Sequence, residues 1–94
     1  MNKNQFEKFI IKNIGAINNI HCRIWNGYDL DNQEACWLEA YVEHDGEYKT
    51  VYISDYYKPD DKKILSLQSK WSSKLKNWIN PNWNIPLIVD NISI

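Results

Sequence analysis

Between residues 35 and 43 apolar and polar positions alternate. Cys36, Leu38, Ala40 and Val42 fall on one side of an extended chain, and Trp37, Glu39, Tyr41 and Glu43 on the other. His44-Asp45-Gly46-Glu47 follows, and Asp-Gly between alternating runs is a strong hairpin signal. The run over 48–56 alternates again, with Lys49, Val51, Ile53 and Asp55 on one face and Tyr48, Thr50, Tyr52, Ser54 and Tyr56 on the other. An earlier run, about 18–26, sets Ile20, Cys22 and Ile24 against His21, Arg23 and Trp25. The polar segment 26–33 reads as the connection between the first two strands.

The ends of the chain change period. Phe6, Phe9, Ile10, Ile14 and Ile17 follow helical spacing, which predicts a helix over about 4–14. Asn4 serves as its cap with Glu7 three residues on, and Gly15 as its left-handed end. Lys58-Pro59-Asp60 stops the third strand and starts a second helix capped by Asp60. Ile64, Leu67, Trp71, Leu75 and Trp78 make its apolar stripe, flanked by Leu65, Gln68 and Ile79, and Pro81 ends it. The tail predicts a last strand over about 85–92, with Pro86 at a strand start or on an edge strand.

The order is therefore α-β-β-β-α-β in one domain, residues 1–94. A three-stranded meander has one apolar face to cover, and two amphipathic helices can cover it. The expected fold is α+β: a two-layer sandwich, an antiparallel sheet with both helices on one face. The other sheet face then meets solvent or a partner.

Length and composition fit this size. A chain of 94 residues buries roughly 60–65% of its unfolded surface, enough for one core. Five tryptophans and 44% hydrophobic residues argue for a folded chain. No apolar run reaches the roughly 18 residues of a membrane span. The first residues lack the pattern of a secretory signal, since Lys12 interrupts their apolar run. The expected location is the cytoplasm of a host cell. Two cysteines are too few for a disulfide framework.

Charge adds something that the net value of −1 hides. Residues 1–27 carry +3, residues 28–61 carry −8 and residues 62–80 carry +5. Segregated charge steers partners without moving the pI.

The aromatic-acidic face is the first candidate site. It gathers Trp37, Glu39, Tyr41, Glu43 and Tyr52, with Asp45 and Glu47 at the turn. Cross-strand aromatics also stabilise a sheet on their own account, by about 0.2–1 kcal/mol a pair. As a binding surface, aromatics supply hot-spot anchors and acids select a basic partner. Glu39 and Glu43 would repel phosphate, so the face suits a protein rather than a nucleic acid.

The second helix offers another candidate. Lys63, Lys70 and Lys74 share one flank of its apolar stripe and could meet phosphates, or simply cover apolar edges with their stems. The α-β-β-β-α order over about 4–79 resembles the double-stranded RNA-binding domain in topology. That family opens its second helix with a phosphate-binding lysine cluster; here Asp60 and Asp61 precede Lys62 and Lys63.

No metal or cofactor is expected. His21, Cys22, Cys36 and His44 lack zinc-module spacing, and alternation turns both cysteines inward. No phosphate loop, HExxH, GxSxG or CxxC is present, and Glu39 and Glu43 on one strand stand about 13 Å apart. The expectation is a non-enzyme.

In type, this short chain resembles the small inhibitor proteins of phages and mobile elements, including anti-CRISPR proteins. Its Asn- and Ile-rich usage fits AT-rich coding, and charge segregation and the aromatic-acidic face complete the likeness. The resemblance implies stoichiometric inhibition of a host nucleic-acid-processing defence enzyme. Two other functions fit the residues: a nucleic-acid-binding module using the basic helix, and a self-associating structural protein that buries the aromatic face against a second copy.

Overall fold

The structure, a computed structural model, describes residues 1–78 and 84–94. Its elements run α1 (Lys3–Lys12), a 3-10 turn (Ile14–Ala16), β1 (Ile17–Tyr28), β2 (Glu34–His44), β3 (Glu47–Tyr52), α2 (Lys62–Asn77) and β4 (Leu87–Ser93). The flanking role of Ile79 and the helix stop at Pro81 lie outside the described residues.

The four strands form one sheet in the order β3-β2-β1-β4. β1 pairs antiparallel with β2, and β2 antiparallel with β3. β4 pairs parallel with β1, so the sheet is mixed rather than antiparallel. The reason is topological. Two hairpin reversals return β3 to the direction of β1. α2 then carries the chain back, and the next strand enters in that same direction. β4 is an edge strand with Pro86 just before it, where the missing N–H costs no ladder bond; the Pro86 carbonyl accepts from Ile20 N at 3.0 Å.

The apolar faces meet in one core. Ile20, Cys22, Ile24, Leu38, Ala40, Val42 and Val51 of the sheet pack with Phe6 and Ile10 of α1 and with Ile64, Trp71 and Leu75 of α2. α1 lies against β3, and α2 against β1, β2 and β4. Gln68 is buried within the stripe of α2, while Leu65 is exposed. Gln68 is tolerated there because its Nε2 donates to the carbonyls of Cys22 (2.9 Å) and Asp90 (2.8 Å), joining α2 to the parallel pair.

Caps are shifted from those expected. α1 is capped by Asn2, not Asn4: Asn2 Oδ1 accepts from Gln5 N, and Gln5 Oε1 accepts from Asn2 N. Asn2-x-x-Gln5 has the same capping-box spacing as Asn4-x-x-Glu7, and the earlier start adds intrahelical bonds such as Phe6 N to Asn2 O. Gly15 falls in the 3-10 turn and is not left-handed. α2 is capped by Asp61, whose Oδ1 accepts from Lys63 N at 3.0 Å, while Asp60 takes φ 62° in the preceding turn. The β2–β3 turn is as expected: Asp45 (φ 52°) and Gly46 (φ 77°) both have positive φ, as a type I′ hairpin requires.

β3 stops at Tyr52, short of the expected 56. Ile53 N and Ser54 N both donate to the Leu38 carbonyl, at 2.8 and 3.3 Å. Pairing then resumes with Cys36 opposite Tyr57, where unbroken register would place residue 55. Two extra residues are thus looped out of the third strand, one more than an ordinary β-bulge inserts. Ser54 Oγ stabilises the loop by accepting from Leu38 N (2.9 Å) and donating to Asp55 O (2.9 Å).

Candidate protein-binding face

The sheet face opposite the helices is built by strict alternation on β1 and β2. Cys22, Ile24, Cys36, Leu38, Ala40 and Val42 point into the core, so His21, Arg23, Trp25, Trp37, Glu39, Tyr41 and Glu43 point out and are half-buried. Register then sets the neighbours. From β3 to β4, Tyr52, Glu39, Arg23 and Asp90 form one row. Thr50, Tyr41, His21 and Ile88 form the next, and Trp37, Trp25 and Ile92 flank the first on its other side.

The two halves of this face differ. On β1 and β4 Arg23 and Asp90 satisfy each other, while the buried Nδ1 of His21 and Nε1 of Trp25 have no hydrogen-bond partner among the described residues. Arg23 donates from Nε to Asp90 Oδ1 (2.7 Å) and from Nη2 to Asp90 Oδ2 (2.6 Å). Its guanidinium also lies 5.3 Å from the Trp25 ring centroid and 5.6 Å from that of Tyr41. His21 stacks on Tyr41 at 4.3 Å with the rings 7° apart. This half fits the stabilising role of cross-strand pairs.

On β2 and β3 the aromatics reach solvent. Tyr48 is 64% and Tyr52 67% exposed, with Tyr56 beside them at 48%. Tyr48 meets the edge of Tyr41 at 5.6 Å, and Tyr56 meets Trp37 at 5.4 Å with the rings 80° apart. Trp37 Nε1 donates to Glu39 Oε1 (3.2 Å), and Asn19 Nδ2 donates to Glu43 Oε2 (3.1 Å). Among the described residues, no lysine or arginine pairs with Glu39, Glu43 or Asp55.

The face carries other signs of its environment. The Arg23 hydrogen bonds hold the Asp90 carboxyl below its usual range, against the opposing effect of burial. Burial, and then the Arg23 charge, lower the pKa of His21 and favour the neutral ring. Burial raises Tyr41. On the core side it also raises the Cys22 and Cys36 thiols, which are fully buried and sit as small hydrophobes. Among the described residues, no group of three His, Cys, Asp or Glu side chains is placed to hold a metal ion.

The expected site residues are thus only partly brought together. Trp37, Glu39, Tyr41, Glu43 and Tyr52 share the outer face. Asp45 is at the hairpin tip, where its carboxylate is 3.5 Å from His44 Nε2. Glu47 falls on the core side of β3 with Lys49, 3.4 Å from its Nζ, and so does not belong to the aromatic face. Lys63, Lys70 and Lys74 are exposed on α2, in the other layer. Lys74 Nζ lies 4.6 Å from the Trp71 ring and Lys3 Nζ 5.5 Å, so lysines do cover an apolar edge there.

No protein-family model, no curated protein and no solved structure matches this chain. Among the described residues, no helix is long and apolar enough to cross a membrane.

Two residues of the face escape sequence reasoning. Asp90 reaches it only through the parallel pairing of β4 with β1, for which the sequence holds no signal. Asp55 should face the core by alternation, yet it lines the outer side with Trp37, Tyr52, Ser54 and Tyr56 because of the bulge. Ser-Asp is turn-forming composition inside an aromatic strand, and that was its available signal.

Proposed function

We propose that this protein is a non-catalytic inhibitor. It binds a host protein, a nucleic-acid-processing defence enzyme such as a CRISPR effector, through the β2–β3 half of its outer sheet face. The observation that carries the reading is that Tyr48, Tyr52 and Tyr56 stand exposed beside Glu39, Glu43 and Asp55, on a face that neither helix covers. Exposed tyrosines give large contact area at low entropic cost, and carboxylates among them pair with the lysines and arginines of a basic groove. Such a groove is what a nucleic-acid-processing enzyme presents to phosphate. The role in defence follows the likeness in type to anti-CRISPR inhibitors.

The test is capture from host lysate by tagged protein, after nuclease, with Tyr48→Ala/Tyr52→Ala as the control. Both tyrosines are exposed, so the variant stays folded, and loss of two anchors should weaken a real interface by about 2 kcal/mol or more. The expected result is one stoichiometric partner that is lost with the variant and whose binding to its own nucleic acid falls when the wild-type protein is added. Capture that ends with nuclease, or that the variant retains in full, overturns the reading. Concentration-dependent dimerisation abolished by the same variant would assign the face to a second copy instead.

A further inference from the structure

We infer that the pocket formed by the bulge after β3 is a receptor for a single cationic side chain, an arginine or lysine presented by the protein partner. The inference rests on the protein-binding reading above and names the chemistry of its anchor point.

The pocket holds ≈ 330 Å³ and is lined by Trp37, Tyr52, Ser54, Asp55 and Tyr56. Its walls are aromatic. The Trp37 and Tyr56 rings meet nearly at right angles, at 80°, and Tyr52 stands on the adjacent row. A cation inside can therefore approach more than one ring. Aromatic rings attract cations through the negative potential of their faces. Trp37 is primed for this, because its Nε1–H donates to the Glu39 carboxylate, which leaves the indole face more electron-rich. Asp55 is the acidic residue of the lining.

The same face already shows this recognition within the chain. Arg23 lies between the rings of Trp25 and Tyr41, and Asp90 closes its fork. The bulge pocket repeats the parts, with Trp37, Tyr52 and Tyr56 for the rings and Asp55 for the carboxylate, while Glu39 accepts from Trp37 Nε1 outside the lining. Here the chain supplies the rings and acids, and among the described residues no lysine or arginine of its own pairs with them. An apolar side chain would offer the Asp55 carboxylate no partner, whereas a cation would.

The bulge is what makes the pocket. An unbroken strand would place Asp55 on the core side and hold residue 56 in the ladder. Two extra residues, braced by Ser54 against Leu38 and Asp55, free Tyr56 from the ladder and bring Asp55 into the lining of the outer pocket.

The test needs no partner. Two blocked tripeptides are titrated into the labelled protein, Gly-Arg-Gly and its neutral isostere Gly-citrulline-Gly, and the Trp37 indole N–H is followed by NMR. The expected result is a saturable shift at Trp37 with the arginine peptide and at least about fivefold weaker binding of the citrulline peptide. Tyr56→Leu and Asp55→Asn, both at exposed positions, should each weaken the arginine peptide and leave the remaining spectrum unchanged. Equal response to the two peptides, or none at Trp37 up to solubility, overturns the pocket. A pocket that fails this titration while Tyr48→Ala/Tyr52→Ala still abolishes partner capture leaves the face intact and removes only its cationic anchor. A pocket that succeeds while capture is indifferent to those tyrosines removes the proposed interface.

Discussion

Arg23 and Asp90 are 67 residues apart in the chain and form a two-bonded ion pair between neighbouring parallel strands, at 2.7 and 2.6 Å. The pair joins the end of the chain to the central strand on the face away from the helices. Asp90→Ala should destabilise the protein at pH 7 by about 1 kcal/mol, a figure kept small because the carboxylate is partly solvated. The Asp90 pKa is depressed in the folded state, so its contribution is fully present above the unfolded value of 3.8 and is lost as pH falls through the lower folded value. Urea unfolding of wild type and Asp90→Ala should differ at pH 7, and the difference should close as pH falls below 3.8 through the lower folded value. A difference that persists at the acid end would assign the effect to packing.

His21 adds an earlier acid-sensitive step. Its folded pKa is lowered by burial and by Arg23, with Asp90 and Glu43 opposing. The unfolded chain therefore binds the proton more readily than the native one, and stability falls as pH drops below the unfolded value of 6.5. Replacement His21→Phe keeps the stack on Tyr41 and should flatten the stability profile from pH 6.5 down through the lower folded value. Parallel profiles for the two proteins would show that the ring titrates normally.

Gln68 holds the junction of α2, β1 and β4 from inside the core. Gln68→Leu keeps the volume but takes the side-chain donor from two carbonyls, of Cys22 and Asp90. The loss should be about 1–3 kcal/mol, read by chemical denaturation. A neutral substitution would mean that those carbonyls are satisfied without it.

Gly46 tests the hairpin. Nothing lies within 4 Å of a Cβ built there, so any cost of Gly46→Ala comes from its φ of +77° alone. That cost should be about 1 kcal/mol. A variant as stable as wild type would show that the turn relaxes to another type.

Alternation on the strands and the three- and four-residue spacing on the helices made most of the fold legible. The cysteines, the apolar stripe of α2 and the outer positions of β1 and β2 all lie where period alone puts them. Caps were less legible, because Asn2 and Asn4, or Asp60 and Asp61, offer the same local chemistry one or two residues apart. Glu47 departs from the expected face for a related reason. It belongs to the acidic turn in sequence, but alternation along β3 puts it with Lys49 on the core side.

Local chemistry by itself determined which residues face inward, where the Asp-Gly turn lies, and that one sheet face collects tryptophan, tyrosine and glutamate. These follow from side-chain period and backbone preference, which act over a few residues. Only the tertiary structure decided that β4 runs parallel beside β1, that Asp90 therefore meets Arg23, and that two looped-out residues bring Asp55 into the pocket beside Trp37. Those depend on how a crossover helix returns the chain and on which carbonyls a strand finds opposite it. Neither is written in the spacing of any one segment.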